Sequence, residues 1–265
     1  MAEILAAAGL SKNYGTGDKR LTIVDGLTLA IQTGEFVSLV GPSGCGKTTL
    51  LMCLAGLVGI DGGTRTFKGE AIDKTPVGLG VVFQDYSRSL LPWKDNLGNV
   101  LFGMRRTGLP DAEKRDRARE LLAAVGLEGF AGHFPWQVSG GMQQRVAIAR
   151  ALASQSELLL LDEPLAAVDA QTRADMQDLL LELARKFDQT CVLVTHDVEE
   201  AVYMADRVLV LGPRPTKIVC EVTINLPRPR DQLESREAKP FLEARHEVLS
   251  LIRAMRRAAK PAGAT

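Results

Sequence analysis

The sequence predicts an α/β fold: a core of parallel strands, an antiparallel β layer at the N-terminal end and a helical insertion. Three observations lead there. Four short apolar runs, at residues 35–40, 81–83, 158–161 and 191–195, each have the length of a strand. Runs without polar alternation read as strands buried on both faces, which is how parallel sheets are built. Residues 1–35 are rich in β-branched residues and glycine, with a turn at Gly15-Thr16-Gly17-Asp18, and read as short strands of the N-terminal layer. Residues 92–152 look mostly helical; there Asp111, following Pro110, is placed to cap a helix carrying Leu121, Leu122 and Val125 on one face.

The remaining elements fall around these. Residues 48–57 read as a helix directly after a glycine loop, 60–83 return to strand-like alternation, and 157–211 alternate strand and helix. A link rich in proline (Pro213, Pro215, Pro227, Pro229) leads to a basic amphipathic helix at 236–258 with Phe241, Leu242, Val248, Leu249 and Ile252. The expected division is a domain over 1–231, with its helical insertion at about 88–155, and a C-terminal helical extension over 232–265. No internal repeat or low-complexity segment interrupts this pattern.

Bulk properties narrow the function classes. The chain has 265 residues, 46% hydrophobic content and a formal net charge of zero, so no overall field favours nucleic acid or anionic lipid. The N-terminus lacks a basic segment followed by an apolar core, so no secretory signal is read. No run approaches the ~20 apolar residues of a membrane helix, so a membrane role is expected to run through a partner. The four cysteines, Cys45, Cys53, Cys191 and Cys220, form no CxxC pair, which argues against a disulfide framework or structural zinc and fits a reducing cytoplasm.

Each apolar run ends on residues suited to a nucleoside triphosphate. The first leads into Gly41, Pro42, Ser43, Gly44, Cys45, Gly46, Lys47 and Thr48, which match G-x-x-x-x-G-K-[ST]. Glycines let successive N–H groups curl inward onto phosphate oxygens, and the following helix presents its N-terminus to the anion. Lys47 is expected to reach the β- and γ-phosphates and the Thr48 hydroxyl to ligate Mg²⁺, with Thr49 completing the cradle. A preceding strand and a following helix are the context this motif needs. Cys45 reads as a passive filler of the loop, with a thiol made reactive by the helix N-terminus as the alternative.

The second run ends at Gln84, which can bridge metal and attacking water. The third ends at Asp162-Glu163: Asp162 is a metal ligand candidate and Glu163 a candidate to orient or deprotonate water. A pair of loop acids capping the next helix is the competing reading. The fourth ends at His196, which reads either as a structural histidine or as a contact to the γ-phosphate. Ser139-Gly140-Gly141 opens a further helix, either as an ordinary cap or as a second phosphate cradle.

In this order the residues 41–48, Gln84, 138–142, 158–163, 168–169 and His196 resemble the ATP-binding cassette (ABC) ATPases, a branch of the P-loop NTPases, over residues 5–231. The short Ser-Gly-Gly turn between the glutamine and the acid pair separates that family from other P-loop proteins. The resemblance implies that Tyr14 stacks on adenine, Glu163 is the catalytic base, His196 the switch histidine, and Asp169 the acid of the loop linking two active sites. Residues 139–141 would cap ATP on the other subunit, making the working unit a head-to-tail homodimer with ATP and Mg²⁺. Val138 and Met142 replace the usual Leu and Gln of the signature, and Ala166-Ala167-Val168-Asp169 lacks a serine common at its start.

Residues 226–231, Leu-Pro-Arg-Pro-Arg-Asp, and Leu90-Leu91-Pro92-Trp93 resemble the ATPases of nitrate, sulfonate and taurine importers. That implies transmembrane permease subunits as partners, a periplasmic or lipid-anchored substrate-binding protein acting indirectly, no nucleic acid, and a peripheral place on the cytoplasmic face of the plasma membrane. Residues 85–99 would grip the permease, with Trp93 and Leu97 either as contacts or as local packing. The C-terminal basic residues Arg253, Arg256, Arg257 and Lys260 read as a solvated face or a lipid-facing one. An ATPase of another ABC transporter, or a soluble ABC ATPase outside transport, is the alternative.

Overall fold

The computed structural model describes residues 2–85, 89–166 and 168–258. The chain forms two compact units, one of residues 1–76 with 192–265, the other of residues 77–191. The first segment contributes strands β1 (Glu3–Tyr14), β2 (Leu21–Gln32) and β3 (Phe36–Val40), helix α1 (Lys47–Leu54), and strands β4 (Gly62–Phe67) and β5 (Glu70–Ala71). The second unit holds β6 (Leu79–Val82), α2 (Asn96–Gly103), α3 (Asp111–Ala124), α4 (Gly140–Ala153), β7 (Leu158–Asp162) and α5 (Ala170–Lys186). Strand β8 (Thr190–Thr195) carries the chain back, followed by α6 (Val198–Met204), β9 (Arg207–Leu211), β10 (Ile218–Thr223), α7 (Glu234–Glu237) and α8 (Lys239–Ala258).

In the first unit, an antiparallel sheet of order β2-β1-β4-β5 forms the expected N-terminal layer. Its first two strands are each 12 residues long rather than short, because register shifts absorb the twist that would otherwise break them. The core sheet has β3 parallel to β9, in register from Val37↔Arg207 to Val40↔Val210, with β10 antiparallel on the far side of β9. Every residue of β3 is buried, as its unbroken apolar run requires. Asp206 ties the sheet at its start: its carboxylate accepts the Phe36 N–H at 2.9 Å and its own N–H donates to the Phe36 carbonyl at 2.7 Å. Helix α1 ends at Leu54, three residues short of the helix read over 48–57. Gly56 turns left-handed there (φ 75°), where a Cβ would sit 2.7 Å from Ile72 Cγ2.

In the second unit, β6 and β7 pair in parallel, Leu79↔Leu158 through Val82↔Leu161. Helices α2, α3 and α4 pack on one another. Gly103 of α2 lies so close to α4 that a Cβ would meet the Arg150 carbonyl at 2.3 Å. Leu121, Leu122 and Val125 are buried as expected. Asp111 does not cap α3. Pro110 holds the N-cap position, leaving Asp111 as the first helical residue. Its carboxylate favours the helix dipole from there and pairs with Lys114 at 3.8 Å.

The C-terminal helix starts at Lys239, not 236, because Glu234–Glu237 form a separate turn. Phe241, Val248 and Ile252 are buried, whereas Leu242 is 40% exposed and falls on the outer side. Arg253, Arg256 and Arg257 are exposed; Lys260 lies outside the described residues. No described helix is long and apolar enough to cross a membrane.

Candidate nucleotide site

The first unit carries the lysine loop between β3 and α1. Gly44 and Gly46 are left-handed (φ 74° and 111°), and a Cβ on Gly46 would come within 2.6 Å of Ile23 Cγ2. Gly46 is the N-cap of α1 and offers no side-chain oxygen to the helix's first N–H groups, the arrangement that suits a bound anion. Lys47 is buried, its ammonium folded back over the loop to donate to the Gly41 carbonyl at 3.0 Å and the Pro42 carbonyl at 3.2 Å. Ser43 and Thr48 are exposed, and Thr49 half-buried, at the mouth. Two residues outside any motif brace the loop from behind: Arg214 Nε donates to the Gly44 carbonyl, and the buried Thr216 hydroxyl donates to the Cys45 carbonyl. An ammonium, three hydroxyls and a glycine cradle are the donor set a triphosphate requires.

Cys45 is a buried filler. Burial pushes its thiol above the ordinary range, outweighing the neighbouring Lys47 charge, which pulls the other way. A maleimide near neutral pH is therefore expected to modify the half-buried Cys220 first and Cys45 about tenfold or more slowly. Intact-mass spectrometry of Cys220→Ser against the parent protein checks this; fast labelling at Cys45 would show a loop more open than described.

His196 follows β8, which neighbours β3 in the core sheet, and it is exposed. Tyr14 closes β1 and is 46% exposed as a residue, and Lys12 Nζ lies 5.3 Å from its ring centroid.

The second unit brings together the other predicted groups. Because β6 and β7 run parallel and in register, Gln84 and the Asp162-Glu163 pair emerge at the same edge. Asp162 is buried at the end of its strand. Glu163 adopts a left-handed backbone (φ 43°), a conformation that costs about 1–3 kcal/mol for a non-glycine residue and gathers at functional positions. Arg173 steadies the turn that follows, donating to the Leu165 carbonyl at 3.4 Å and the Val168 carbonyl at 3.2 Å; Ala167 lies outside the described residues. The competing reading of the acid pair, as helix caps, fails for α5. Asp169 caps that helix instead, accepting the Thr172 N–H at 3.0 Å and its hydroxyl at 2.6 Å. The Thr172 hydrogen bonds hold the Asp169 carboxyl below the usual range.

Ser139 caps α4, its hydroxyl accepting the Met142 N–H at 3.3 Å. A Cβ on Gly141 would lie 3.1 Å from Thr172 Cγ2, so the Ser-Gly-Gly turn sits against the helix that Asp169 caps. Two loops separated by about thirty residues thus share one surface, which only small residues allow.

This arrangement agrees with the sequence profile of the ABC transporter family, which matches residues 24–166, more than half of the chain. An aliphatic sulfonates import ATP-binding protein of Ralstonia nicotianae is 47% identical over 257 residues, covering 97% of this chain and 84% of that protein. The chain belongs to the ABC transporter family. A taurine import ATP-binding protein of Yersinia pestis biovar Antiqua is 46% identical over 199 residues, 75% of this chain and 77% of its own length. Among solved structures, an ATP-binding cassette captured as a dimer after hydrolysis, with ADP and phosphate bound, matches with a TM-score of 0.72 at 33% identity, covering 83% of this chain and 98% of that one. The fold is therefore that of a P-loop ABC ATPase, and the protein is an ATP-binding subunit that hydrolyses ATP.

One surface of this ABC ATPase was legible only in part. The buried Asn99 clamps the turn before α2. Its Oδ1 accepts the Leu91 N–H at 2.8 Å, and its Nδ2 donates to the carbonyls of Leu91, Lys94 and Asp95, each at 3.1 Å. That turn projects Trp93 with 71% of its surface exposed, whereas Leu97 is half-buried. Residues 86–88 of the stretch expected to grip a permease lie outside the described residues.

Proposed function

We propose that this chain is the energising subunit of an importer for a small organic or inorganic anion of the sulfonate, taurine or nitrate class. It works as a head-to-tail homodimer on the cytoplasmic face of the plasma membrane, beneath separate permease subunits that a periplasmic or lipid-anchored binding protein supplies. The observation that carries the ATPase half is the parallel β6–β7 edge, which delivers Gln84, a buried Asp162 and a left-handed Glu163 together. The import half is supported by relatives named as sulfonate and taurine import ATP-binding proteins.

Lys47 swings its ammonium from the loop carbonyls to the β- and γ-phosphates, while residues 41–46 wrap them with backbone N–H groups. Tyr14 stacks on the adenine. Thr48, Gln84 and Asp162 would be the ligands of Mg²⁺, each offering the hard oxygen that suits this ion, and the ion would neutralise charge on the phosphates. Glu163 accepts a proton from the attacking water, and His196 holds the γ-phosphate oxygens. The Ser139, Gly140 and Gly141 turn closes over ATP held by the second subunit, which places Asp169 beside the dimer axis. The exposed Trp93 docks a cytoplasmic loop of the permease, since exposed aromatics suit interface centres.

Co-expression with permease subunits of a sulfonate, taurine or nitrate importer from the same organism tests this reading. A purified complex in vesicles should import labelled taurine, an alkanesulfonate or nitrate with ATP, and lose import when Trp93 becomes Asp. An ATPase that never co-purifies with a membrane subunit would overturn the importer reading.

A further inference from the structure

The C-terminal segment grips one short helix, α6, which begins two residues after His196. Helix α6 has seven residues, and its Val198, Ala201, Val202, Tyr203 and Met204 are all buried. Its start is tied to the two residues that flank the histidine, Thr195 and Asp197. Thr195 donates its hydroxyl to the buried Glu200 carboxylate and accepts the Asp197 N–H at 3.1 Å. Asp197 in turn accepts the Glu199 and Glu200 N–H groups at 2.8 and 3.2 Å. A displacement of the first turn of α6 is therefore passed to both residues that flank His196.

Three arginines from residues 230–245 fix the position of α6. Arg230, with its side chain only 1% exposed, donates to the Tyr203 carbonyl at 2.5 Å and the Ala205 carbonyl at 2.8 Å, capping the helix's end. Burial draws its pKa down to about 10, a cost accepted at few positions without a geometric return. At the other end, the outward-facing Glu199 bridges Arg236 at 3.3 Å and Arg245 at 2.9 Å, and the Arg236 guanidinium lies 4.9 Å from the Tyr203 ring centroid. Helix α8, which carries Arg245, is anchored against α6, β9 and β10 through Phe241, Ala244, Val248 and Ile252. The ion pairs to Glu199 are partly solvated and individually weak, so their effect lies in orientation more than in stability.

We infer that Arg236 and Arg245 are positioning residues for His196, acting through Glu199 and the first turn of α6. The C-terminal extension is on this view a brace for the hydrolytic step. The inference rests on the proposed role of His196.

The test compares Arg236→Gln/Arg245→Gln with the parent protein. The double variant should lower kcat about three- to tenfold while KM and the dissociation constant for a fluorescent ATP analogue stay within about twofold. Glu199→Gln, which empties the same pairs from the α6 side, should reproduce this, and Arg236→Lys/Arg245→Lys should largely restore kcat. The chain has three histidines, His133, His196 and His246. The His196 imidazole resonance, assigned with His196→Ala, should shift in the Gln variants while that of His133, in the other unit, stays put. Unchanged kcat, or a lowered kcat with the His196 resonance unmoved, overturns the inference. Should the parent protein leave ATP intact, the catalytic reading fails instead, and the resonance still reports whether the brace reaches the histidine.

Discussion

Replacing Glu163 by Gln is expected to lower ATP turnover by about 10²–10⁴-fold, the range contributed by a positioned general base. The amide keeps the side chain's length and shape, so the left-handed turn after β7 should survive. What disappears is the negative charge, and with it the basicity that lets the carboxylate take a proton from water. ATP affinity should therefore hold, and the nucleotide-bound dimer should accumulate because hydrolysis no longer opens it. Phosphate release, equilibrium nucleotide binding and the size of the ATP-loaded protein on gel filtration check the three statements. Normal turnover would refute the assignment of Glu163 as base and return the role to an unassigned group.

Lys47→Ala carries the second large effect, on binding instead of chemistry. The Lys47 ammonium bonds only carbonyl oxygens of its own loop among the hydrogen bonds described for it. Moving to phosphate oxygens exchanges neutral acceptors for charged ones. A charge-assisted hydrogen bond contributes about 1.5–3 kcal/mol, so affinity for ATP should fall roughly ten- to 150-fold. Isothermal titration with ATP measures this. Because Lys47 is buried, thermal unfolding of the variant belongs beside it: a midpoint close to the parent's with unchanged affinity would count against the loop as a triphosphate site.

Much of the fold was legible because its signals are local. The runs at 35–40, 81–83, 158–161 and 191–195 all became strands, and β3, β7 and β8 are buried throughout. Strand burial imposes an apolar composition residue by residue, so no distant partner is needed to recognise it. The lysine loop was legible for the same reason, since its glycines and lysine act within eight consecutive residues. The two N-terminal strands were read as short because bulges interrupt their alternation without ending their pairing. The cap of α3 was misplaced by one residue because Pro110 and Asp111 both suit a helix start, and only backbone angles separate the cap from the first turn.

The groups that hold the site in place carry no such signal. Arg214 and Thr216 reach the loop carbonyls from about 170 residues away in sequence. An arginine or a threonine after a strand has many possible acceptors, and nothing in its neighbours selects one. The same is true of Arg173, Asn99 and the arginines that hold α6.

From its residues alone, this chain determined which side chains are candidates to handle phosphate, metal and water, because that chemistry demands particular side chains at fixed short spacing. Tertiary structure decided how firmly those groups are held: which carbonyls the distant arginines satisfy, that Glu163 turns left-handed, and that the C-terminal helix lies against the helix that begins just after His196. Such contacts join residues far apart in the chain, and their geometry exists only once the strands have paired.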